Sequence, residues 1–212
     1  MTDVQDRAWR DRAIDRSTEG ARQRAARRVD TFLAAAREII DERKSTEFTV
    51  QEVVDRSRQS LRSFYQYFDG KEELLLALFE DEMAEWAAEL RQRTSDGDPL
   101  ARLESAVHAL YDNAAPGWAR NRPIAEFAQR LIINHPDEVA AAYSAIVEYL
   151  GEIVDEAAEA GLLRPGRPRR MAAIVLQAAT VTAGRGPAAR QPITADEVWE
   201  FCRHAIVPDP AD

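Results

Sequence analysis

The sequence predicts an all-α chain in which a three-helix head, carrying a helix-turn-helix, joins a second helical bundle through one long helix. Three observations predict it. Apolar residues recur at spacings of three and four along most of the 212 residues, and no stretch alternates with period two as a half-buried strand would. Thr49 with Glu52, and Thr194 with Glu197, form T-x-x-E pairs in which hydroxyl and carboxylate reciprocally satisfy backbone N–H groups at a helix start. Between Phe48 and Leu76 two short helical patterns meet at a tight turn, and a longer one follows at once.

Met1–Gly20 is rich in both signs of charge and poor in apolar residues, which predicts disorder or a frayed helix, with 1–21 as a flexible charged arm. The alternative is an arm that reaches DNA with Arg22, Arg24, Arg27 or Arg28. The first helix is expected over Arg22–Lys44, with Val29, Phe32, Leu33, Ala36, Ile39 and Ile40 as its core stripe. Residues 22–70 make the helix-turn-helix domain and 71–212 the second domain.

Within the head, Thr49 and Glu52 cap a short helix that buries Val50, Val53 and Val54. After Arg56-Ser57-Arg58-Gln59 a second helix follows, with Leu61, Phe64, Tyr65 and Phe68 at i, i+3, i+4 and i+7 as its apolar face. The other face, Ser60, Arg62, Ser63, Gln66 and Tyr67, holds no acidic residue. Such a helix suits the major groove of DNA. Arg62 has the geometry to pair with guanine and Gln66 with adenine, Ser60 and Ser63 are permissive, and Leu61 suits either the core or a thymine methyl group. Asp69, with Glu72 three residues on, is expected to cap the third helix.

The run Thr49–Leu74 resembles the N-terminal signature of tetracycline-repressor (TetR) family transcription regulators. The matching residues are Thr49-Val50, Val53-Val54, Ser60, Ser63-Phe64-Tyr65, Tyr67-Phe68 and Lys71-Glu72-Glu73-Leu74. The resemblance implies phosphate contacts from Thr49, Tyr65, Tyr67 and Lys71, and hydroxyls and a lysine are suited to phosphate oxygens. It also implies a small-molecule site in the second bundle, whose occupation shifts the separation of two heads. The turn departs from the family, which often has Ala-Gly-Val where this chain has Ser57-Arg58-Gln59. A glycine there tolerates positive φ, and Arg58 is not expected to.

A long helix is expected from Gly70 to about Arg93, roughly 36 Å at 1.5 Å per residue, burying Leu75, Phe79, Met83, Trp86 and Leu90. Thr94–Asp98 is polar, and Pro99 suits the first position of a helix that reaches Ala115. Pro116-Gly117 breaks it, and a shorter helix over 118–133 carries Pro123. Pro136 opens a helix with Val139, Tyr143, Ile146, Leu150, Ile153 and Ala157 on one face, ended by Gly161. Met171–Ala183 is apolar all round. The last helix, after Thr194, places Val198, Phe201, Cys202, Ala205 and Ile206 on one stripe. Contributed by each of two chains, the helices around 171–184 and 195–206 form a four-helix homodimer interface.

Net charge is −9, but residues 1–70 hold 14 Arg and Lys against 13 Asp and Glu, whereas 71–212 hold 14 against 24. The acidity therefore lies outside the DNA-facing segment, where phosphate contact depends on the local patch. One cysteine, Cys202, excludes an intramolecular disulfide. With no apolar leader and no spanning run, a cytoplasmic chain is expected. His108, His135 and His204 lie far apart, and no nucleophile elbow, P-loop or dinucleotide fingerprint occurs, so no enzyme and no cofactor are expected. In the second bundle Leu103, Val107, Leu110, Trp118, Phe127, Tyr143, Val147 and Leu176 are candidate walls for an apolar effector. His108, Tyr111, Gln177 and Thr180 are candidate polar fixtures. The expected partners are double-stranded operator DNA, that effector and a second copy of the chain. Two recognition helices would then lie one DNA turn apart, ~34–36 Å. The competing expectation is an adaptor of the same fold without specific DNA binding.

Overall fold

The structure, a computed structural model, describes residues 2–114, 127, 131, 134–164, 167–184 and 193–208. Among them run α1 (Thr2–Arg43), α2 (Val50–Ser57), α3 (Leu61–Phe64), α4 (Lys71–Arg93), α5 (Pro99–Ala114), α6 (Pro136–Ala142), α7 (Ser144–Glu159), α8 (Pro168–Gly184) and α9 (Ala195–Ile206). No strand occurs among the described residues. The chain divides into two compact units, Met1–Leu75 and Leu76–Asp212, and α4 runs through the boundary.

In the first unit α1 starts at Thr2, not at Arg22, so of the two forms expected for the arm the structure shows helix. Its 42 residues extend about 63 Å at 1.5 Å each. The sequence permits this because Arg, Ala, Gln and Glu are favourable helix formers, and no proline interrupts the run. Phe32, Leu33, Ala36, Ile39 and Ile40 are buried as expected. The helix ends on Lys44 in a left-handed conformation, φ 52°. Thr49 then caps α2: its hydroxyl accepts the Glu52 N–H at 3.3 Å, and the Glu52 carboxylate accepts the Thr49 N–H at 2.7 Å.

The turn after α2 overturns an expectation. Arg58 does adopt the left-handed conformation, φ 54°, ψ 31°. Its N–H donates to Asp55 O at 3.3 Å and the Gln59 N–H donates to Val54 O at 3.2 Å, the paired bonds of a Schellman ending. These bonds hold the turn closed against the steric cost that a side chain adds there, roughly 1–2 kcal/mol. α3 is also shorter than its sequence pattern, four residues followed by a turn through Tyr67. The apolar stripe splits. Phe64 and Phe68, four apart, are buried, whereas Leu61 and Tyr65, on the neighbouring line, are 41% and 57% exposed. A helix this short has one line of contact with its support, and the phenylalanines occupy it.

α4 begins at Lys71, and the carboxylate that accepts the Asp69 N–H is Glu73's, not the expected Glu72's. In the second unit Leu78, Phe79, Met83, Trp86 and Leu90 of α4 are buried. Asp98 accepts the N–H groups of Leu100 and Ala101 at 2.9 and 3.0 Å, which puts Pro99 at the first position of α5 where its missing donor costs nothing. α8 packs on α5 and α7, and α9 on α5 and α8. The expected helix from Pro136 breaks at Tyr143 into α6 and α7, and Gly161 (φ 71°) closes α7 with the Leu162 N–H on Ala157 O at 2.9 Å. Buried Tyr149 exchanges a 2.7 Å hydroxyl bond with Thr94, while Arg91 stacks 4.4 Å over its ring. The expected helix over 118–133, Trp118 included, lies outside the described residues except for Phe127 and Leu131, both buried.

Each of the last two helices leaves part of its apolar surface exposed in the single chain. α8 is not buried all round: Ala172, Val175, Leu176 and Ala179 face the core, but Ile174 and Val181 are 61% and 55% exposed. On α9 Val198, Trp199, Cys202 and Ile206 are buried, while Phe201 is 69% exposed and Ala205 is exposed too. No helix among the described residues is long and apolar enough to cross a membrane. Replacing Arg58 with glycine keeps the Schellman bonds and removes the side-chain clash, at some cost in unfolded-state entropy. R58G is expected to stabilise the head by about 0.5–1 kcal/mol, read as a raised denaturation midpoint; a lowered midpoint would mean that the arginine side chain contributes more than its conformation costs.

Candidate nucleic-acid interface

α3 is held from one side by rings. Phe64 meets Phe32 of α1 edge-on, centroids 5.4 Å apart at 84°, and Phe68 meets the same ring at 6.2 Å. Phe64 and Phe68 lie 5.3 Å apart, and Tyr65 stands edge-on to Phe64 at 5.4 Å. Edge-to-face pairs of this kind add about 0.5–1.5 kcal/mol each beyond the burial of the rings. The side of α3 turned away from this cluster exposes Leu61, Arg62, Tyr65 and Gln66. Leu61 thereby resolves to the surface.

The remaining candidates are placed differently. Ser60 is exposed and caps α3, accepting the Ser63 N–H at 3.1 Å. Ser63 is buried, contrary to expectation, and its hydroxyl has no hydrogen-bond partner among the described residues. It faces the scaffold because it precedes Phe64 on the supported side. Tyr67 is half-buried. The Thr49 hydroxyl donates to Glu52 at 2.9 Å, and Lys71 lies 3.9 Å from Glu47 and 4.9 Å over the Phe48 ring. Thr49 and Lys71 therefore hold local structure together, and Arg62 and Gln66 are the exposed polar groups left open.

Ion pairs between α1 and α2 were not legible in the sequence, because the partners are nine to eighteen residues apart and carry no local signal. Arg56 grips Glu42 with both guanidinium nitrogens, 2.7 and 2.8 Å, and reaches Glu38 at 3.4 Å. Arg43 pairs with Glu52. The Arg43 hydrogen bond, helped by the Thr49 backbone and hydroxyl, pulls the Glu52 carboxyl down to about 2, and Arg56 holds Glu42 below its ordinary range. These pairs are exposed, so each contributes little alone. They do set the angle at which α2 leaves α1. Between them lies a shallow 480 Å³ depression lined by Ile39, Arg43, Glu52, Asp55, Arg56 and Arg58.

In the second unit Leu103, Val107 and Leu110 of α5 and Leu176 of α8 are buried together with Phe127, while Tyr143 and Val147 are half-buried. Tyr143 stands edge-on to Phe79 at 5.8 Å, and burial pushes its hydroxyl pKa up. The Thr180 hydroxyl donates to Leu176 O at 2.8 Å, Tyr111 donates to Ile193 O, and His108 Nε2 lies 3.2 Å from Asp196. Gln177 is exposed on α8, which removes it from an interior site. Among the described residues no group of His, Cys, Asp and Glu could hold a metal ion.

The head is a helix-turn-helix whose short second helix and the turn after it turn Arg62 and Gln66 outward. Residues 32–78 match the family model for bacterial regulatory proteins of the tetR family. The fold agrees. The crystal structure of a TetR-family transcriptional regulator from Pectobacterium atrosepticum is similar at TM-score 0.63 and 18% identity, over 87% of this chain and 92% of that one. Reduced NemR from E. coli is similar at 0.61 and 14%, over 86% and 98%. The transcriptional regulator FadR from Bacillus subtilis, crystallised in complex with stearoyl-CoA, is similar at 0.55 and 14%, over 81% and 96%. No curated protein matches the chain in sequence.

Because the Glu52 carboxyl is held low in the folded head, its contribution to stability is complete above its ordinary value of 4.5 and is lost as pH falls toward about 2. The gap in urea midpoint between the native chain and Glu52→Gln is therefore expected to close as pH falls through that window. A gap that stays constant from pH 5 to pH 2.5 would refute the Arg43–Glu52 assignment.

Proposed function

We propose that the chain is a DNA-binding transcriptional regulator, a repressor that binds a pseudo-palindromic operator as a homodimer and is released by a small apolar effector. The observation that carries this reading is the outward face of α3, where Arg62 and Gln66 stand open beside Leu61 and Tyr65 on a tetR-family scaffold. Arg62 reads guanine and Gln66 reads adenine, Leu61 packs on a thymine methyl group, and Ser60 is permissive. Thr49, Tyr65, Tyr67 and Lys71 contact phosphates and fix the register. Buried Ser63 supports the helix instead.

Dimerisation is supported by Ile174, Val181 and Phe201, large apolar side chains exposed on α8 and α9. Ile174, Gln177 and Val181 follow at i, i+3 and i+7, one line along α8, which a second copy covers. The effector occupies the second unit among Leu103, Val107, Leu110 and Tyr143. That a regulator of the same fold was crystallised with stearoyl-CoA supports an acyl-chain ligand class. An effector that prefers a different arrangement of the two heads lowers operator affinity by its differential affinity for the two states.

Duplex selection from random sequence at low salt should enrich a two-fold-symmetric site. Arg62→Ala should then weaken binding about 10–100-fold, the equivalent of ~1–3 kcal/mol, and relax preference at one base per half-site. Enrichment of no duplex would leave the adaptor reading standing. For the dimer, the double substitution Ile174→Glu with Phe201→Glu is expected to turn a dimer into a monomer by sedimentation at micromolar concentration. A native chain that sediments as a monomer would contradict the proposal.

A further inference from the structure

Two residues of the head other than glycine hold a positive φ, Lys44 at 52° and Arg58 at 54°, each just past the end of a helix. Backbone hydrogen bonds explain why the chain is left-handed at Arg58, but not why an arginine stands there. Glycine would make the same bonds without the steric cost, about 1–2 kcal/mol. A side chain kept in a strained conformation points to a role outside the fold, and such residues cluster at binding sites. At Lys44 the cation has a partner within the head, Asp41 at 4.0 Å. The side chain of Arg58 makes no ion pair and no hydrogen bond among the described residues.

Its surroundings do not compensate its charge. Arg58 is exposed and borders the depression between α1 and α2 with Arg43, Glu52, Asp55 and Arg56. Both carboxylates there are occupied: Glu52 accepts from Arg43 and from the Thr49 N–H, and Asp55 accepts from Gln51 Nε2 at 2.7 Å. The other two guanidinium groups are occupied as well, that of Arg43 by Glu52 and that of Arg56 by Glu42. One positive charge is left without a counterpart, at the joint between α2 and α3. Chain length fixes how near it stands to the exposed face of α3. Arg58 is two residues before Ser60, the N-cap of α3, so their Cα atoms lie within about 7 Å of each other.

We propose that Arg58 is a DNA contact peculiar to this chain, a cation at the turn that binds a phosphate on the strand bordering the groove that α3 enters. The inference rests on the operator-binding reading above. The family often has glycine at this position, so the contact cannot be a general property of the head. Its partner is a phosphate and not a base edge, because Arg58 precedes α3 and is not on the outward side that carries Arg62 and Gln66. The two Schellman bonds hold its backbone in place, so only the side chain has to be ordered when the phosphate binds. A planar guanidinium suits a phosphate through two parallel hydrogen bonds, which a backbone N–H at a glycine could not supply. The turn thus gives up some stability in the free protein and recovers it as affinity for a polyanion.

The test uses the full chain and a duplex enriched in the selection, with affinity measured by fluorescence anisotropy over a range of salt and stability by urea denaturation. R58G and R58N both tolerate the left-handed backbone and remove the charge. Each is expected to lower the slope of log K against log salt by about 0.9. Each should also weaken the selected and a scrambled duplex by the same factor, about 3–10-fold. R58K keeps the charge and should retain most of the slope. K44G also removes a left-handed cation, but one that lies beside Asp41, and should leave slope and affinity unchanged. In R58G the urea midpoint should rise while affinity falls, and a purely structural arginine would not move the two in opposite directions. Native slope and affinity in R58G and R58N would overturn the inference while leaving operator binding intact. So would a loss in K44G as large as in R58G, or a slope in R58K as low as in R58G. A native chain that binds no duplex would overturn both, and unchanged circular dichroism of each variant separates a lost contact from a lost fold.

Discussion

The cluster of Phe32, Phe64 and Phe68 is the constraint on which the exposed face of α3 depends, because α3 is too short to persist by itself. A helix of four residues fixes its backbone at the cost of nucleation and recovers almost none of it through hydrogen bonds. What holds it is ring contact with α1, where Phe64 and Phe68 are buried against Phe32. The same contact decides what faces outward. Once two phenylalanines occupy the inner line, Leu61, Arg62, Tyr65 and Gln66 have only the solvent side to occupy. The apolar Leu61 and Tyr65 are exposed as a consequence.

A second constraint sits at the turn. The departure of Ser57-Arg58-Gln59 from the glycine-bearing family pattern suggested a different bend, but the chain keeps the bend and accepts a left-handed arginine. Backbone hydrogen bonding explains why. Two N–H groups, those of Arg58 and Gln59, find acceptors at the end of α2 only in that conformation, and the alternative would leave them to find others. The strain lies between the helix that the Arg43 and Arg56 pairs orient and the helix that the rings hold.

Legibility in the sequence followed the range of the interaction. Local chemistry was readable: both capping boxes, Pro99 opening α5, Gly161 closing α7 and the buried side of α4 all sit where residue type and spacing place them. Extent was less readable. Charge and low hydropathy suggested a flexible arm before Arg22, yet helix propensity carries α1 back to Thr2. Faces on short or terminal helices were least readable, since a periodic stripe does not say which neighbour it meets. Phe201 shares a stripe with Val198 and Cys202 but stands exposed beside them, and Ser63 reads as polar surface but is buried. The α1–α2 ion pairs depend on two helices being packed first, so no window of sequence could contain them.

The distribution of charge completes the physical account. A chain with net charge −9 approaches a polyanion only if its repulsion is directional, and the second unit carries the excess acid. At a Debye length of about 8 Å in physiological salt, acidic residues far along the chain are screened from phosphates at the reading surface. For the proposed DNA contact the local balance is what counts, and there several of the head's acids are engaged by cations. Glu42, Glu47 and Glu52 are each matched by Arg56, Lys71 or Arg43. Arg62, on the surface proposed to read DNA, has no ion-pair partner among the described residues. On the proposed function the ion pairs between α1 and α2 serve a second end, because they offset negative charge in the head.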